Sequence, residues 1–244
     1  MAQKTALIVY AHQSPASFNA AARDVAMQEL AAQGYRVLLS DLYAMDFRAS
    51  ATQDDIIGDL KTPGHFQYGD ETMSAWKEGR LCADIVAEQR KVEEAELVIF
   101  QFPLYWFSVP AIMKGWMDRV LTQGFAFSLT NMYDNGVFKN GVLHFCGFQV
   151  LAPQIFWGPA HCPPAVRAAM LDGWRARVKG LSEERPLTFA PCDLFDLSFR
   201  GGFRLWPRAR EERESQGFGI TTGHHLGKPL PPDNQTRAHP DPRS

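Results

Sequence analysis

A short apolar run followed at once by an aromatic segment is the feature that most constrains this chain. Residues 97–100 are continuously apolar and lie between acidic residues and Pro103. Such a run is typical of a strand that is buried on both faces of a parallel sheet. The next residues, 104–107, place aromatic rings where that strand ends, and open α/β sheets bind ligands outside the carboxyl ends of their strands. The segment therefore predicts a flat aromatic binding surface, with burial of the rings in the core as the alternative.

The rest of the pattern alternates strands with helices. Residues 6–11 and 35–40 are strand-like, and a helix from Ser17 to Gly34 between them completes a βαβ unit. Periodicity predicts further elements, namely helices over residues 71–95, 110–123 and 163–181, and a fourth strand over residues 142–151. This order predicts an α/β fold with a doubly wound parallel sheet. We expect one domain over residues 1–182 and a partly irregular C-terminal extension over residues 183–244, where the periodicity is lost.

Composition and charge restrict the partners. The net charge of −2 predicts neither a nucleic-acid partner nor attraction to an anionic membrane. No apolar run approaches the roughly 20 residues that span a bilayer, and the N-terminus has the pattern of a first strand, not that of a signal peptide. The four cysteines are scattered without a CxxC pair, which favours reduced thiols and a cytosolic location.

The loop after the first strand is a second candidate binding element. It runs from His12 to Asn19 into the start of the first helix, where backbone N–H groups and the helix dipole attract phosphate. Neither a GxGxxG fingerprint nor a P-loop is present, so an ordinary capped loop is the alternative. The adjacent His224 and His225 lack zinc-site spacing and are expected at the surface, and no metal site is predicted.

Several segments together resemble one enzyme family. They are ALIVYAHQSPASFN, SDLYAMDF, DIVAEQRKVEEAELVIFQFPLYWFSVPAIMKGWMDRVL, MYDNG and LHFCGFQVLAPQ. They closely resemble the NAD(P)H:quinone oxidoreductase (DT-diaphorase) family over nearly the whole chain. The resemblance implies a flavodoxin-like homodimer with non-covalent FAD at the dimer interface. It also implies hydride transfer from NAD(P)H to the flavin and then to small-molecule quinones.

The resemblance also implies roles for individual residues. Those matching the family's FAD-binding positions are His12, Phe18, Asn19, Gln67 (from the facing subunit), Leu104, Tyr105, Trp106, Phe107, Arg167 and Leu171. Those matching the substrate pocket are Ala126, Phe127, Ser128 and, from the partner as lid residues, Phe199 and Phe203.

The chain departs from the family at one place. After MYDxGxF the family has another strand, a Thr-Thr-Gly-Gly loop at the flavin ring, and a Tyr and a His that assist hydride transfer. Here Asn140 is followed directly by Gly141, so a segment of roughly thirty residues, the size of a βα unit, is expected to be missing together with a central strand. No catalytic residue is then retained. We expect an impaired FAD-dependent quinone reductase. The alternatives are an inactive, flavin-poor variant that acts only as a binding or dimer partner, and a flavodoxin-like binding module without redox chemistry.

Overall fold

The chain divides into two compact units, which are described separately. A computed structural model describes residues 3–127, 142–187, 192–196, 198, 200–201 and 204–214. The first unit combines residues 1–125 with residues 158–183, and the second combines residues 126–157 with residues 184–244. The described helices include none that is both long and apolar enough to cross a membrane.

A three-stranded parallel sheet forms the centre of the first unit. Its strands are β1 (Thr5–Tyr10), β2 (Arg36–Asp41) and β3 (Leu97–Gln101), in the order β2-β1-β3. In this register Ile8 of β1 lies opposite Leu39 on one side and Ile99 on the other. Every residue of β1 is buried, as expected for the middle strand of a sheet with helices on both faces. The three strands predicted in this part of the sequence are confirmed.

Helices cover both faces of this sheet. The first unit contains α1 (Phe18–Ala32), α2 (Tyr68–Lys77), α3 (Ala83–Glu94), α4 (Ala111–Val120) and, after residues of the second unit, α6 (Pro164–Gly180). Neighbouring residues of a strand point to opposite faces. Ser40 of β2 donates to Glu88 of α3 at 2.7 Å, whereas the next residue, Asp41, accepts from Arg23 of α1 at 3.4 Å. Helices α1 and α3 therefore lie on opposite faces, which confirms the doubly wound arrangement.

Helix α6 packs on α1, although the two are far apart in the sequence. The indole N–H of Trp174 donates to the carbonyl oxygen of Ala22 at 3.0 Å, and Gln33 donates to the carbonyl oxygen of Val178 at 3.3 Å. Trp174, Val178 and Ala22 are buried. Residues made late in the chain thus complete the apolar layer on the α1 face.

Two elements predicted from the sequence are wrong. The helix expected over residues 71–95 is interrupted between α2 and α3, because Gly79 has a φ of +68° and ends α2 in a left-handed conformation. The strand expected over residues 142–151 begins instead as the short helix α5 (Val142–Phe145) of the second unit, and residues 148–151 belong to no regular element. A short apolar run does not by itself distinguish a strand from a helix.

The second unit contains few regular elements among its described residues. Besides α5, they are a 3₁₀ turn (Cys192–Leu194), β4 (Phe195–Asp196), β5 (Arg204–Leu205) and α7 (Pro207–Glu214). Strands β4 and β5 pair in antiparallel fashion, with Phe195 opposite Leu205.

Strand β3 is less buried than its apolar sequence predicts. All five of its residues are half-buried, whereas an apolar run of this kind predicts burial on both faces. Strand β1 pairs with β3 on one side, and β3 is the last strand of the described sheet on that side. A strand at the edge of a sheet keeps more of its surface accessible than a central strand does, which accounts for the difference.

A buried ionic network fastens the helices beside the sheet. Arg119 of α4 donates to Asp55 Oδ1 through Nε at 3.1 Å and Nη2 at 2.8 Å, and it pairs with Asp84 of α3 at 2.8 Å. The hydroxyl of Tyr68 in α2 donates to Asp55 Oδ2 at 2.8 Å. Burial opposes the charge on Arg119, but its two carboxylate partners prevail and raise its pKa. The network ties α2, α3 and α4 to the chain before α2.

Candidate functional site

The loops that follow β1 and β3 lie side by side. The backbone N–H of Ala11 donates to the carbonyl oxygen of Gln101 at 3.0 Å, and the hydroxyl of Tyr105 donates to Gln13 Oε1 at 3.1 Å. The side-chain amide of Gln101 also donates to the carbonyl oxygen of Asn19 in the first turn of α1. The structure therefore brings the predicted phosphate loop and the predicted aromatic surface together at the carboxyl end of the sheet.

The loop at residues 12–17 is held in a defined shape. The backbone N–H of Ser14 donates to His12 Nδ1 at 3.0 Å, so the neutral imidazole carries its proton on Nε2 and offers that N–H as a donor. Ser17 Oγ accepts the N–H of Ala20 at 3.1 Å and donates to the carbonyl oxygen of Ser14 at 2.8 Å. Ser17 is thus the predicted cap of α1. A capped helix start beside an imidazole N–H suits a phosphate group.

The aromatic segment forms a strained two-residue turn. The backbone N–H of Tyr105 donates to the carbonyl oxygen of Ser108 at 3.0 Å, and the N–H of Ser108 donates back to Tyr105 at 3.1 Å. Between them, Trp106 and Phe107 have φ values of +49° and +60°. These values belong to a type I′ turn, for which Asn-Gly is the favoured pair. A bulky residue in the left-handed region costs about 1–3 kcal/mol, and such strain is concentrated at ligand clamps.

The rings on this turn are exposed. Trp106 and Phe107 are each 94% exposed, and Leu104 and Tyr105 are also exposed. The alternative that these rings belong to the core is therefore wrong for Trp106 and Phe107. An apolar surface of this kind on a folded protein marks a ligand or partner site.

The other predicted cofactor residues lie outside these two loops. Gln67 precedes α2 at its N-cap position and is exposed. Arg167, in the first turn of α6, donates to the carbonyl oxygen of Cys162, and Leu171 is half-buried one turn further on. No hydrogen bond described for Gln67, Arg167 or Leu171 reaches residues 12–19 or 104–107. Their roles at the cofactor stay predictions.

The predicted substrate residues belong to the second unit or lie outside the described residues. Phe127 packs against Phe145 with ring centroids 4.8 Å apart, and Ala126 is half-buried. Ser128, Phe199 and Phe203 lie outside the described residues. The substrate pocket stays a prediction.

Three buried charged residues of the first unit could not be predicted from the sequence. They are Asp55, Arg119 and Glu71; Asp55 and Arg119 bond to each other across 64 positions of the sequence, and Glu71 accepts from the backbone N–H groups of Lys61 and Thr62. For Arg119 and Glu71 the only signal was a charge within a predicted helix, which periodicity alone treats as an exception. No group of three or more possible metal ligands occurs in the part of the chain that the structure describes.

The geometry of the two loops suits a ligand with a planar ring and a phosphate. The exposed Trp106 and Phe107 offer flat apolar surfaces, and the adjacent His12 N–H and α1 terminus offer hydrogen-bond donors without a full cationic charge. A flavin nucleotide combines these two chemistries in one molecule.

Comparison with known proteins agrees with this geometry. A family model described as a flavodoxin-like fold matches residues 4–141. The NAD(P)H dehydrogenase [quinone] 1 of Cavia porcellus is 46% identical over 97% of this chain and 98% of the relative. The ribosyldihydronicotinamide dehydrogenase [quinone] of Homo sapiens is 46% identical over 79% of this chain and 96% of the relative. The crystal structure of a putative quinone reductase from Klebsiella pneumoniae matches with a TM-score of 0.74 and 29% identity, covering 90% of this chain and 99% of that chain.

The alignment lengths bear on the expected missing segment. The match to the Cavia porcellus relative extends over 271 positions, whereas 97% of this 244-residue chain is about 237 residues. About 34 aligned positions therefore lie opposite gaps in this chain. The family model ends at residue 141, at the junction of Asn140 and Gly141. From the family model and the full-length relatives together, the chain belongs to the flavodoxin-like family that includes the NAD(P)H dehydrogenases [quinone].

Proposed function

We propose that this protein belongs to the enzymes that reduce quinones by two electrons with NAD(P)H, using FAD as the cofactor. The observation that carries the proposal is the strained, exposed turn at Trp106 and Phe107 beside the capped loop of His12. The names of the relatives support the reaction class. The scattered cysteines support a location in the cytosol, which is part of the proposal.

In this proposal the residues of the chain bind and orient the cofactor. The His12 Nε2–H and the N-terminus of α1 bind the phosphates. The rings of Trp106 and Phe107 hold one face of the planar ring and exclude water from it. Bound flavin would supply the chemistry, accepting a hydride from NAD(P)H and donating it to a quinone. Gln67 would contact the flavin of the facing subunit in a homodimer.

A second candidate function has its own supporting observation. About 34 aligned positions are absent from this chain, and the resemblance implies that they include the flavin-ring loop and the hydride-assisting Tyr and His. A chain without them would be a flavin-poor member of the family that acts only as a dimer or binding partner.

The flavin content of the purified protein tests both candidates. We expect flavin well below one per subunit after gel filtration, because losing two or three hydrogen bonds at about 1 kcal/mol each weakens binding ten- to a hundred-fold. Absorbance near 450 nm, typical of oxidised flavin, measures the content, and titration with FAD and with FMN measures the affinities. Saturable FAD binding would support the first candidate, the FAD-dependent quinone reductase. Absence of binding at any concentration would favour the second candidate, and one FAD per subunit would contradict the expected weakening.

Relieving the strain of the aromatic turn should raise the stability of the protein and lower its affinity for flavin. Replacing Trp106→Asn together with Phe107→Gly supplies the residues that a type I′ turn favours. We expect the free energy of unfolding of the apoprotein to rise by about 1–3 kcal/mol as strain is removed. We expect flavin affinity to fall at least about tenfold, since ring stacking contributes about 1–3 kcal/mol per ring.

Urea unfolding and flavin titration provide the two measurements. Trp206→Ala, which removes an exposed tryptophan of the second unit, is the control and should leave flavin affinity unchanged. A loss of stability in the double variant would show that the two rings stabilise the fold instead of binding a ligand.

A further inference from the structure

The segment before α2, residues 61–67, is exposed but held in place by hydrogen bonds. Every residue from 61 to 67 is exposed, and no helix or strand includes them. Nevertheless the backbone N–H groups of Lys61 and Thr62 donate to Glu71 Oε2 and Oε1, each at 2.7 Å. A surface segment usually owes its order to burial of its own side chains. Within the exposed segment 61–67, the N–H of His65 donates to the carbonyl oxygen of Thr62 and the ring of Phe66 meets that of Tyr68 edge-on. The start of the segment is held to α2 by one carboxylate.

Glu71 is an unusual residue for this task. Its side chain is buried, with 3% of the residue exposed, and no cationic side chain among the described residues forms an ion pair with it. Burying a carboxylate without a counter-ion is costly unless hydrogen bonds to the charged form compensate. Here two backbone N–H groups provide that compensation, so the charge of Glu71 and the conformation of the segment depend on each other.

Both flanks of the segment are also fixed. Arg80 donates to the carbonyl oxygens of Ile57 at 3.0 Å and Asp59 at 3.3 Å, before the segment. After it, the hydroxyl of Tyr68 donates to the buried Asp55 at 2.8 Å. Glu71 restrains the stretch between them from both ends, because its carboxylate accepts from the N–H groups of Lys61 and Thr62 and its own N–H donates to the carbonyl oxygen of Gln67 at 3.0 Å.

Gln67 is the last residue of the segment that Glu71 restrains. It lies directly before Tyr68 at the N-cap position of α2, yet its side chain forms no capping hydrogen bond with the helix. Glutamine is not among the favoured N-cap residues, which are Ser, Thr, Asp and Asn. The side-chain amide of Gln67 is exposed, fixed in position and not used to cap α2, so it is suited to contact another molecule.

We propose that Glu71 is a positioning residue, which holds the segment 61–67 so that Gln67 reaches the cofactor in the facing subunit. This inference rests on the proposed function, because it takes the cofactor and the facing subunit from there. Glu71 itself touches neither the cofactor nor the quinone. It acts through the backbone N–H groups of Lys61 and Thr62 and through the short chain that connects them to Gln67.

The test uses a near-isosteric change with a matched control. Glu71→Gln keeps the size of the side chain but leaves only one acceptor oxygen for two N–H donors. Asp70→Asn removes a negative charge from the exposed neighbouring position of the same helix and leaves the segment fastened. Thr62→Pro removes one N–H donor while the glutamate stays. Because trypsin does not cleave a Lys–Pro bond, this second variant is measured by FAD affinity alone, should Glu71→Gln fold poorly.

The first measurement is independent of any ligand. Trypsin cleaves after Lys61, which is exposed, and cleavage requires the segment to leave its fastened conformation. We expect cleavage between Lys61 and Thr62 to be at least about tenfold faster in Glu71→Gln than in wild type, because a hydrogen bond to a charged group is lost. Asp70→Asn should be cleaved at the wild-type rate.

The second measurement is a double-mutant cycle on flavin affinity in the full-length protein. We expect Gln67→Ala and Glu71→Gln each to weaken FAD binding. In the Glu71→Gln background, Gln67→Ala should cause no further loss of affinity, because Gln67 no longer contacts the cofactor there. A residue that only stabilises the fold would give additive losses.

The outcomes separate the inference from the proposed function. A wild-type cleavage rate in Glu71→Gln, or losses of FAD affinity that add when Gln67→Ala is combined with Glu71→Gln or Thr62→Pro, would overturn the positioning role while the flavin enzyme stands. If the wild-type chain bound no FAD, the proposed function would fail and this inference with it. Coupled losses together with faster cleavage would confirm the inference.

Discussion

Restoring the absent segment between Asn140 and Gly141 is expected to raise the rate of NAD(P)H-dependent quinone reduction at least about a thousand-fold. The resemblance implies that this segment supplies a loop at the flavin ring and a Tyr and a His that assist hydride transfer. General acid assistance alone is typically worth about 10²–10⁴-fold, a range that includes the expected difference in turnover. The resemblance implies that the segment also adds a strand to the sheet.

The assay compares the natural chain with a variant that carries the corresponding segment of an intact relative. Both are assayed with saturating FAD, so that a difference in turnover is not a difference in cofactor loading. A glycine–serine insert of equal length at the same junction is the matched control and should not restore activity. Near-normal turnover in the unrestored chain would show that the segment is not required for the reaction.

Removing the guanidinium of Arg119 is expected to destabilise the protein by about 3–5 kcal/mol. Arg119 is almost completely buried and is hydrogen-bonded to Asp55, which is also buried. Arg119→Met keeps much of the side-chain volume but takes the buried guanidinium from Asp55, which keeps only the partly exposed Arg48 as a cationic partner. Deletion of one member of a buried pair is costly because the remaining buried charge loses much of its compensation.

An exposed ion pair provides the contrast. Arg36 and Glu94 are paired with both side chains 49% exposed, and Arg36→Met should change the free energy of unfolding by less than about 1 kcal/mol. Urea unfolding curves of the two variants and wild type give the comparison. Similar effects for Arg119→Met and Arg36→Met would mean that the buried network contributes no more than a surface pair.

The sequence predicted the elements whose residues make local patterns. Strands β1, β2 and β3 and helices α1, α4 and α6 followed from apolar runs, periodicity and the Ser17 cap. The interruption between α2 and α3 was missed, because an isolated glycine in a helical pattern is often tolerated and only the backbone conformation shows otherwise. The residues at 142–151 were assigned to a strand because a short apolar run fits either state.

The candidate site was predictable in part for the same reason. The aromatic surface and the phosphate loop each follow a strand directly, so their sequence positions placed them at one end of the sheet. The strain at Trp106 and Phe107 was not predictable, since nothing in a Trp-Phe pair suggests a type I′ turn. Glu71 and Arg119 could not be found, because their partners are backbone groups and carboxylates whose proximity arises only in the folded chain.

The packing of α6 on α1 has a consequence for how the protein is made. Helix α1 ends at residue 32, but the helix that covers its apolar face begins at residue 164. At about 5–20 residues per second, a ribosome needs on the order of ten seconds to synthesise the chain between them. During that interval α6 has not yet been made, so the face of α1 that it covers is exposed. The first unit can therefore be completed only after residues 164–180 have been synthesised.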